Sequence, residues 1–360
     1  MHRFSFVLLF PMLAGAAMAG PIETQSGTKQ ATVVVEGLDT PWAFDFLPDG
    51  TILITLRDGA LVAQKGEDRW AVANPPKVQA DGQGGLLDIL VPRDFAESRE
   101  IFVTYAKRQF VRGSGTAVYR ARLSEDGRSL AEGETIFEIA RGTGGGFHFG
   151  SRLVESPEGT LFVTVGDRGN DGQAQDLSMH NGSVLHITKD GKPVPGNPFV
   201  GTDGAQPEIW SYGHRNPQGA ALDAAGQLWT VEHGAQGGDE INRITPGTNY
   251  GWPVISYGVN YNGTKIGEGT TKDGMAQPVF FWDPSMAPSG MTFFEGGDWD
   301  GDAFVGSLKF GYISRLSGDP LREVERIEGP ETGRVRDVAQ GPDGKLWFLS
   351  VYEGALYRLD

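Results

Sequence analysis

Four stretches of the chain repeat one pattern of polar and apolar positions. Leu47-Pro48-Asp49-Gly50 runs into Thr51-Ile52-Leu53-Ile54-Thr55, and Ser156-Pro157-Glu158-Gly159 into Thr160-Leu161-Phe162-Val163-Thr164. Asp223-Ala224-Ala225-Gly226 leads to Gln227-Leu228-Trp229-Thr230-Val231, and Gly341-Pro342-Asp343-Gly344 to Lys345-Leu346-Trp347-Phe348-Leu349. Each reads as a tight turn feeding a strand: Pro, where present, sets φ, and Gly takes the positive φ. Two weaker copies fill the gaps, Pro92-Arg93-Asp94-Phe95 before residues 100–105 and the stretch 297–301 before residues 302–306. The six copies start near residues 48, 92, 157, 224, 297 and 342. Units of that size with hairpin turns predict an all-β chain, a six-bladed β-propeller of four-stranded antiparallel blades. A pair of β-sandwiches is the competing architecture. No stretch has the apolar face of a three-turn helix. The uneven spacing places long loops within 105–155, 166–222 and 232–292, and these hold most of the unusual polar residues.

The first residues change the picture of where this chain works. His2 and Arg3 precede a mostly apolar run from Phe4 to Ala14, and Ala17-Met18-Ala19 has the small-x-small form of a cleavage site. Residues 1–19 therefore read as a secretory signal, and residues 20–360 as one propeller domain, periplasmic or secreted. A retained N-terminal anchor is the alternative, but the run is short for a membrane span and no second one follows, so membrane insertion is not expected. Cysteine is absent, which removes disulfides, zinc–thiolate sites and thiol nucleophiles. A formal charge of −15 argues against nucleic acid and anionic membranes, and suits hard cations such as calcium. Glycine, 53 of 360 residues, is scattered without a period, as expected of many strands joined by tight turns.

Candidate chemistry sits on the loops, where a rigid scaffold places function. His148 lies among glycines and aromatics in GGGFHFGSRL, a setting for a general base near neutral pH. His180 and His186 flank an apolar stretch and read as structural. The loop SYGHRNPQG puts His214, Arg215 and Asn216 side by side before Pro217. Arg offers a fixed fork of donors for a carboxylate or quinone oxygen, and Pro stiffens the loop. His233 opens a loop with flexible carbonyls and the carboxylates Asp239 and Glu240, a mixture that calcium favours. Gln83 stands between glycines before an apolar strand. Lys309, Arg334 and Arg336 add cations from other blades, and several such loops could converge on one polyanion.

Taken together, DGQGGLLDI, HFGSRLV with VGDRG, GHRNPQGAAL, GGDEINRI with NYGWP, APSG with GSLK, and RVRDV with PDG are similar to the soluble pyrroloquinoline-quinone (PQQ) dependent glucose and aldose sugar dehydrogenases. The resemblance covers residues 35–360 and implies a six-bladed propeller that oxidises aldoses to lactones, with PQQ and Ca2+ as cofactors. It implies that His148 is the base and that Arg215 stabilises charge on the quinone. Gln83, Asn216, Asp239 and Tyr261 become cofactor contacts, and Lys309, Arg334 and Arg336 the grip on the PQQ carboxylates. The Gly234 and Ala235 carbonyls become calcium ligands, with Glu240 and Tyr250 at a further calcium position. One departure stands out: the glucose branch carries an acid before the base, where this chain has Phe147. The base then lacks its expected orienting carboxylate, for which Asp239 is the candidate substitute. Two other readings of the scaffold are a calcium-dependent lactonase or hydrolase, and a propeller that binds glycan or protein without catalysis. The sequence names neither the sugar nor the electron acceptor, and leaves monomer or homodimer open.

Overall fold

A computed structural model describes residues 18–110 and 113–360. Its first two strands, β1 (Met18–Thr24) and β2 (Gly27–Val35), lie beside the last strand of the chain rather than beside the next one. Five complete four-stranded blades follow in order. They are β3–β6 (Pro41–Phe46, Ile52–Leu56, Leu61–Lys65, Asp68–Val72) and β7–β10 (Leu86–Leu90, Glu100–Gln109, Gly113–Leu123, Leu130–Glu138). Then come β11–β14 (Leu153–Glu155, Leu161–Val165, Ser183–Ile187, Ile209–Tyr212) and β15–β18 (Pro217–Leu222, Leu228–Glu232, Asp239–Arg243, Phe280–Trp282). β19–β22 (Pro288–Phe293, Ala303–Ser307, Ile313–Ser317, Arg322–Ile327) make the fifth. The sixth has only three strands of its own, β23–β25 (Val335–Gln340, Leu346–Ser350, Ala355–Leu359), and β2 completes it by pairing with β25. The ring is thus closed by hydrogen bonds between the two ends of the chain, with β1 as an added outer strand. The signal segment expected at residues 1–19 lies outside the described residues, except for Met18 and Ala19, which begin β1.

The repeated turns are the links between the first and second strand of each blade. Four share one geometry: Gly50, Gly159, Gly226 and Gly344 each donate back to the residue three before, at 2.8–3.0 Å, with φ between 73° and 81°. The second blade breaks the pattern. A one-turn helix (Phe95–Ser98) stands there, and the left-handed residue is Arg99 at φ 55°. Second strands such as Leu161–Val165 and Leu346–Ser350 are buried throughout because a neighbouring blade covers each face. Their sequences are therefore continuous apolar runs rather than alternations. Outermost strands such as Arg322–Ile327 face solvent and alternate. Phe102, Phe304 and Phe348 are completely buried, each contributing about 2–3 kcal/mol by area.

The first strands β3, β7, β11, β15, β19 and β23 contact one another in a closed cycle around the axis. Their starting ends point to one face, and the loops preceding them build the site. Loop placement differs from expectation in one segment. Residues 105–138 are mostly strand, in the long hairpin of β8 and β9 and then β10, and only 139–152 is a connecting loop. The runs 166–182, 188–208 and 244–279 carry little strand, as expected. Among the described residues no helix is long and apolar enough to cross a membrane.

Candidate active site

Where the inner strands begin, a cavity of about 760 Å³ opens on the axis. Arg57, Lys309, Arg334 and Arg336 line it together with Gln83, Gln218 and His233, and among the described residues no carboxylate reaches its wall. In a chain of formal charge −15, that is a local inversion of sign. Arg336 donates to Gln218 Oε1 at 2.8 Å, Arg57 to the Gly82 carbonyl at 2.7 Å and Arg334 to the Leu308 carbonyl at 3.2 Å. Among the described residues none of the four cations takes part in a salt bridge. Burial pushes Arg336 down to about 9, helped by the charges of Arg334, Arg152 and Arg57. Both Arg336 and the buried Arg152 lie against Trp42, 5.6 and 4.9 Å from its ring centre. Arg152 in turn bridges Asp88 at 2.7 Å and Asp337 at 3.0 Å, tying three blades together beneath the cavity.

His148 sits beside this cavity on the loop after β10. Its backbone N–H donates to Gln83 Oε1 at 2.8 Å, which attaches it to the cavity wall. Its Nδ1 lies 2.6 Å from Asp167 Oδ1, and the ring is 15% exposed. Asp167 also accepts from Gly169 N–H and from Trp252 Nε1–H, both at 2.8 Å. Two donors besides the imidazole thus fix the position of its carboxylate. Nδ1–H of the ring donates a hydrogen bond to this carboxylate, which leaves Nε2 with its lone pair free. The two loops approach closely: a Cβ on Gly166 would lie 2.2 Å from the His148 carbonyl oxygen. Only glycine permits that contact. His148 itself holds a left-handed backbone, φ 51°, the kind of strain that collects at functional sites.

The orienting carboxylate missing at Phe147 is thus supplied from the next blade. Asp167 belongs to VGDRG, and its signal was a lone acid directly after an apolar strand, which sequence cannot tell from a turn residue. Asp239 does not play that part. It is fully buried, and its oxygens accept from Ser285 Oγ, Gly234 N–H and Ala287 N–H, all at 2.8 Å. It shapes the loops behind the cavity and is not among the residues that line it.

The loop SYGHRNPQG divides its polar side chains between two jobs. His214 turns inward, bonded to Glu232 at 2.8 Å and stacked on Tyr250. Arg215 lies over Trp252 and donates to the Gly234 carbonyl at 2.6 Å, while its Nε has no partner. Asn216 accepts from Gly150 N–H at 3.1 Å, and its Nδ2 likewise has no partner. Both donors are buried, and neither residue lines the main cavity; Arg215 instead lines a small void together with His233 and Gly234. His233 lines the cavity and bonds the Pro288 carbonyl through Nε2; burial and the Arg215 and Arg336 charges push it down to about 3, so it is neutral. His180 and His186 are held by Glu208 and by Thr160 and Asn197, away from the cavity.

The expected calcium ligands fall into two places. Gly234 and Ala235 line the main cavity, and Tyr261 stands at its rim, 75% exposed. Glu240 and Tyr250 meet at a small void of about 20 Å³ with Glu232, Gly238 and Ser256, which Gly234 and His233 line as well, so the two places share a wall. Burial raises Glu240 to about 8, with Glu232 beside it adding to the rise. The Tyr250 hydroxyl is committed to the Arg243 carbonyl and Thr245 N–H. Among the described residues no three His, Cys, Asp or Glu side chains gather as a metal cluster, so a cation in either place would draw on carbonyls.

Residues 38–358 match the family described as glucose / sorbosone dehydrogenase. The chain is similar to the aldose sugar dehydrogenase YliI of Escherichia coli, at 42% identity over 97% of this chain and 96% of that one. Among solved structures it is similar to the apo form of the soluble aldose sugar dehydrogenase from Escherichia coli, with a TM-score of 0.87 and 40% identity, covering 92% of this chain and 98% of that one. It is also similar to the PQQ-bound aldose sugar dehydrogenase from Streptomyces coelicolor, with a TM-score of 0.77 and 27% identity, covering 95% and 99%.

Proposed function

Because the chain belongs to the glucose/sorbosone dehydrogenase family, we propose that it oxidises aldose sugars at the anomeric carbon with PQQ held in the axial cavity. The observation that carries this reading is the lining of that cavity: four cations and no carboxylate. A planar cofactor bearing several carboxylates matches that charge, whereas a hydrolytic calcium centre would need acidic ligands in the channel.

The residues present fit the group. Lys309, Arg334 and Arg336 would hold its carboxylates, with Arg57 beside them. The unpartnered N–H groups of Arg215 and Asn216 are buried donors for its oxygens. Calcium bound with it would take the Gly234 and Ala235 carbonyls and act as a Lewis acid. The Glu240 carboxylate and the carbonyl of Tyr250 are the donors for a further, structural calcium. When bound, PQQ supplies the two-electron acceptor for the hydride from the sugar C1.

What this chain does follows from its own groups. The wall around Gln83 and Tyr261 orients the sugar. His148 Nε2, left bare by the Asp167 hydrogen bond, takes the proton from the anomeric hydroxyl as the C1–H bond breaks, and the product is the lactone. Arg215 stabilises negative charge growing on the acceptor oxygen. The electrons then leave to an external acceptor.

Reconstitution tests the reading. The purified protein is supplied with PQQ and calcium and assayed with an artificial electron acceptor on a panel of aldoses. Turnover that needs both additions and is lost in His148→Ala is the expected result. A folded protein that binds no PQQ would overturn it, and PQQ-independent glycan binding would indicate a binding propeller.

A further inference from the structure

Arg168 follows Asp167 directly and is the largest side chain among those completely buried, at 1% exposure. Its guanidinium lies 3.4 Å above the ring centre of Phe149, the residue after His148. One nitrogen donates to the Ser114 carbonyl at 3.2 Å, while Nε and the other terminal nitrogen have no partner. No salt bridge includes it among the described residues. Its carbonyl accepts from Thr143 Oγ1 at 2.9 Å, and its backbone is left-handed, φ 60°.

As a stabilising element this arrangement is poor. A cation taken out of water without a direct salt bridge costs stability, and an apolar side chain of similar size would pack on Phe149 at least as well. Burial does lower its proton affinity, to about 10, with Asp167 opposing the change, so it stays charged at neutral pH. Its placement touches both halves of the His148–Asp167 pair: its backbone carries Asp167, and its side chain rests on the residue that carries His148.

We propose that Arg168 is a positioning residue for the base: its buried positive charge keeps the Asp167 carboxylate ionised and disfavours protonated His148, while its stacking on Phe149 fixes the spacing of their loops. The catalytic consequence rests on the dehydrogenase reading, but the electrostatic effect on the imidazole does not. The charged and titratable groups around His148 are Asp167 and Arg168 from the loop after β12, His233 from the loop after β16, and Arg215, whose carbonyl accepts from Asp167 N–H. His233 and Arg215 are unchanged in the variants below.

The test is an NMR titration of the His148 ring in cofactor-free protein, wild type against Arg168→Met, Arg168→Gln and Arg168→Lys, with pH profiles of kcat on reconstituted enzyme. Loss of the charge in the Met or Gln variant is expected to raise the midpoint of the imidazole titration by about half a unit to one unit. It should also reduce the Nδ1–H tautomer and move the acid limb of kcat the same way. The Lys variant should keep the wild-type midpoint with lower thermal stability. A folded Met or Gln variant with an unmoved midpoint and tautomer overturns the proposal, even if activity falls. Failure to bind PQQ would sink the dehydrogenase reading and leave this titration intact.

Discussion

His148 Nδ1 and Asp167 Oδ1 are 2.6 Å apart across the boundary between two blades, on loops 19 residues apart. That bond decides which nitrogen of the ring can act. With Nδ1–H donating to the carboxylate, Nε2 is the acceptor, and the geometry needs no acid at position 147.

Asp167→Asn breaks this assignment without emptying the space. An amide can donate to Nδ1 and so favour the other tautomer, in which Nε2 already carries a proton. General-base catalysis is worth about 10²–10⁴ in rate, so kcat is expected to fall by that order while PQQ binding is retained. Steady-state kinetics with a saturating acceptor check this. A loss confined to KM would assign Asp167 to substrate binding instead.

The cationic lining predicts a different signature. Arg336→Gln keeps a donor for Gln218 but removes a charge that faces the cavity. A charge-assisted hydrogen bond is worth about 1.5–3 kcal/mol, so the Kd for PQQ should rise about 10- to 100-fold. At saturating PQQ, kcat should recover most of its wild-type value. Titration of the apoprotein with PQQ by fluorescence quenching measures it. Unchanged affinity would remove Arg336 from the cofactor grip.

The blade count was legible because the first-to-second strand turn has strict local chemistry, and Gly50, Gly159, Gly226 and Gly344 mark it in the sequence. The cations Lys309, Arg334 and Arg336 could be named on the resemblance, and the fold brings them to one cavity. Asp167 could not be paired with His148 from sequence, since their meeting depends on how two blades pack. Asp239 was misassigned for the same reason: an acid in a loop gives no sign of whether backbone N–H groups will consume it. The 105–138 segment read as loop because β9 starts in Gly113-Ser114-Gly115, poor strand formers whose glycines serve close approaches to Thr143 and Ile139. The places of Arg152 and Arg168 were not legible, because burial of a cation leaves no mark on periodicity.

Beneath the cavity, Arg152→Met should be strongly destabilising. It leaves Asp88 and Asp337 buried without their counter-charge, a loss of about 3–5 kcal/mol by analogy with other broken buried pairs. Burial already holds both carboxyls above the usual range, against the pull of Arg152, and the variant raises them further. A carboxyl whose folded value is raised stabilises the fold below its unfolded value of about 4 and loses that contribution as pH rises through the folded value. The deficit of the variant should therefore be smallest in acid and grow through neutrality. Denaturant melts between pH 5 and 8 would read this (both limits are about 1–2 units from neutral), and a deficit independent of pH would assign the loss to packing alone.

The small void at Glu240 predicts metal-dependent stability separate from catalysis. Glu232 and Glu240 face it together, and burial with mutual repulsion disfavours their joint ionisation, which a hard divalent cation would relieve. Saturating calcium to about 100 times its Kd should add about 2.7 kcal/mol, a rise of a few degrees in Tm, in protein free of PQQ. Glu240→Gln should remove most of that rise while leaving PQQ affinity close to wild type, because Glu240 does not line the main cavity. Chelation should return wild type to the Tm of the variant. If calcium raises the Tm of Glu240→Gln as much as that of wild type, the stabilising ion lies elsewhere, with the Gly234 and Ala235 carbonyls the next place to look.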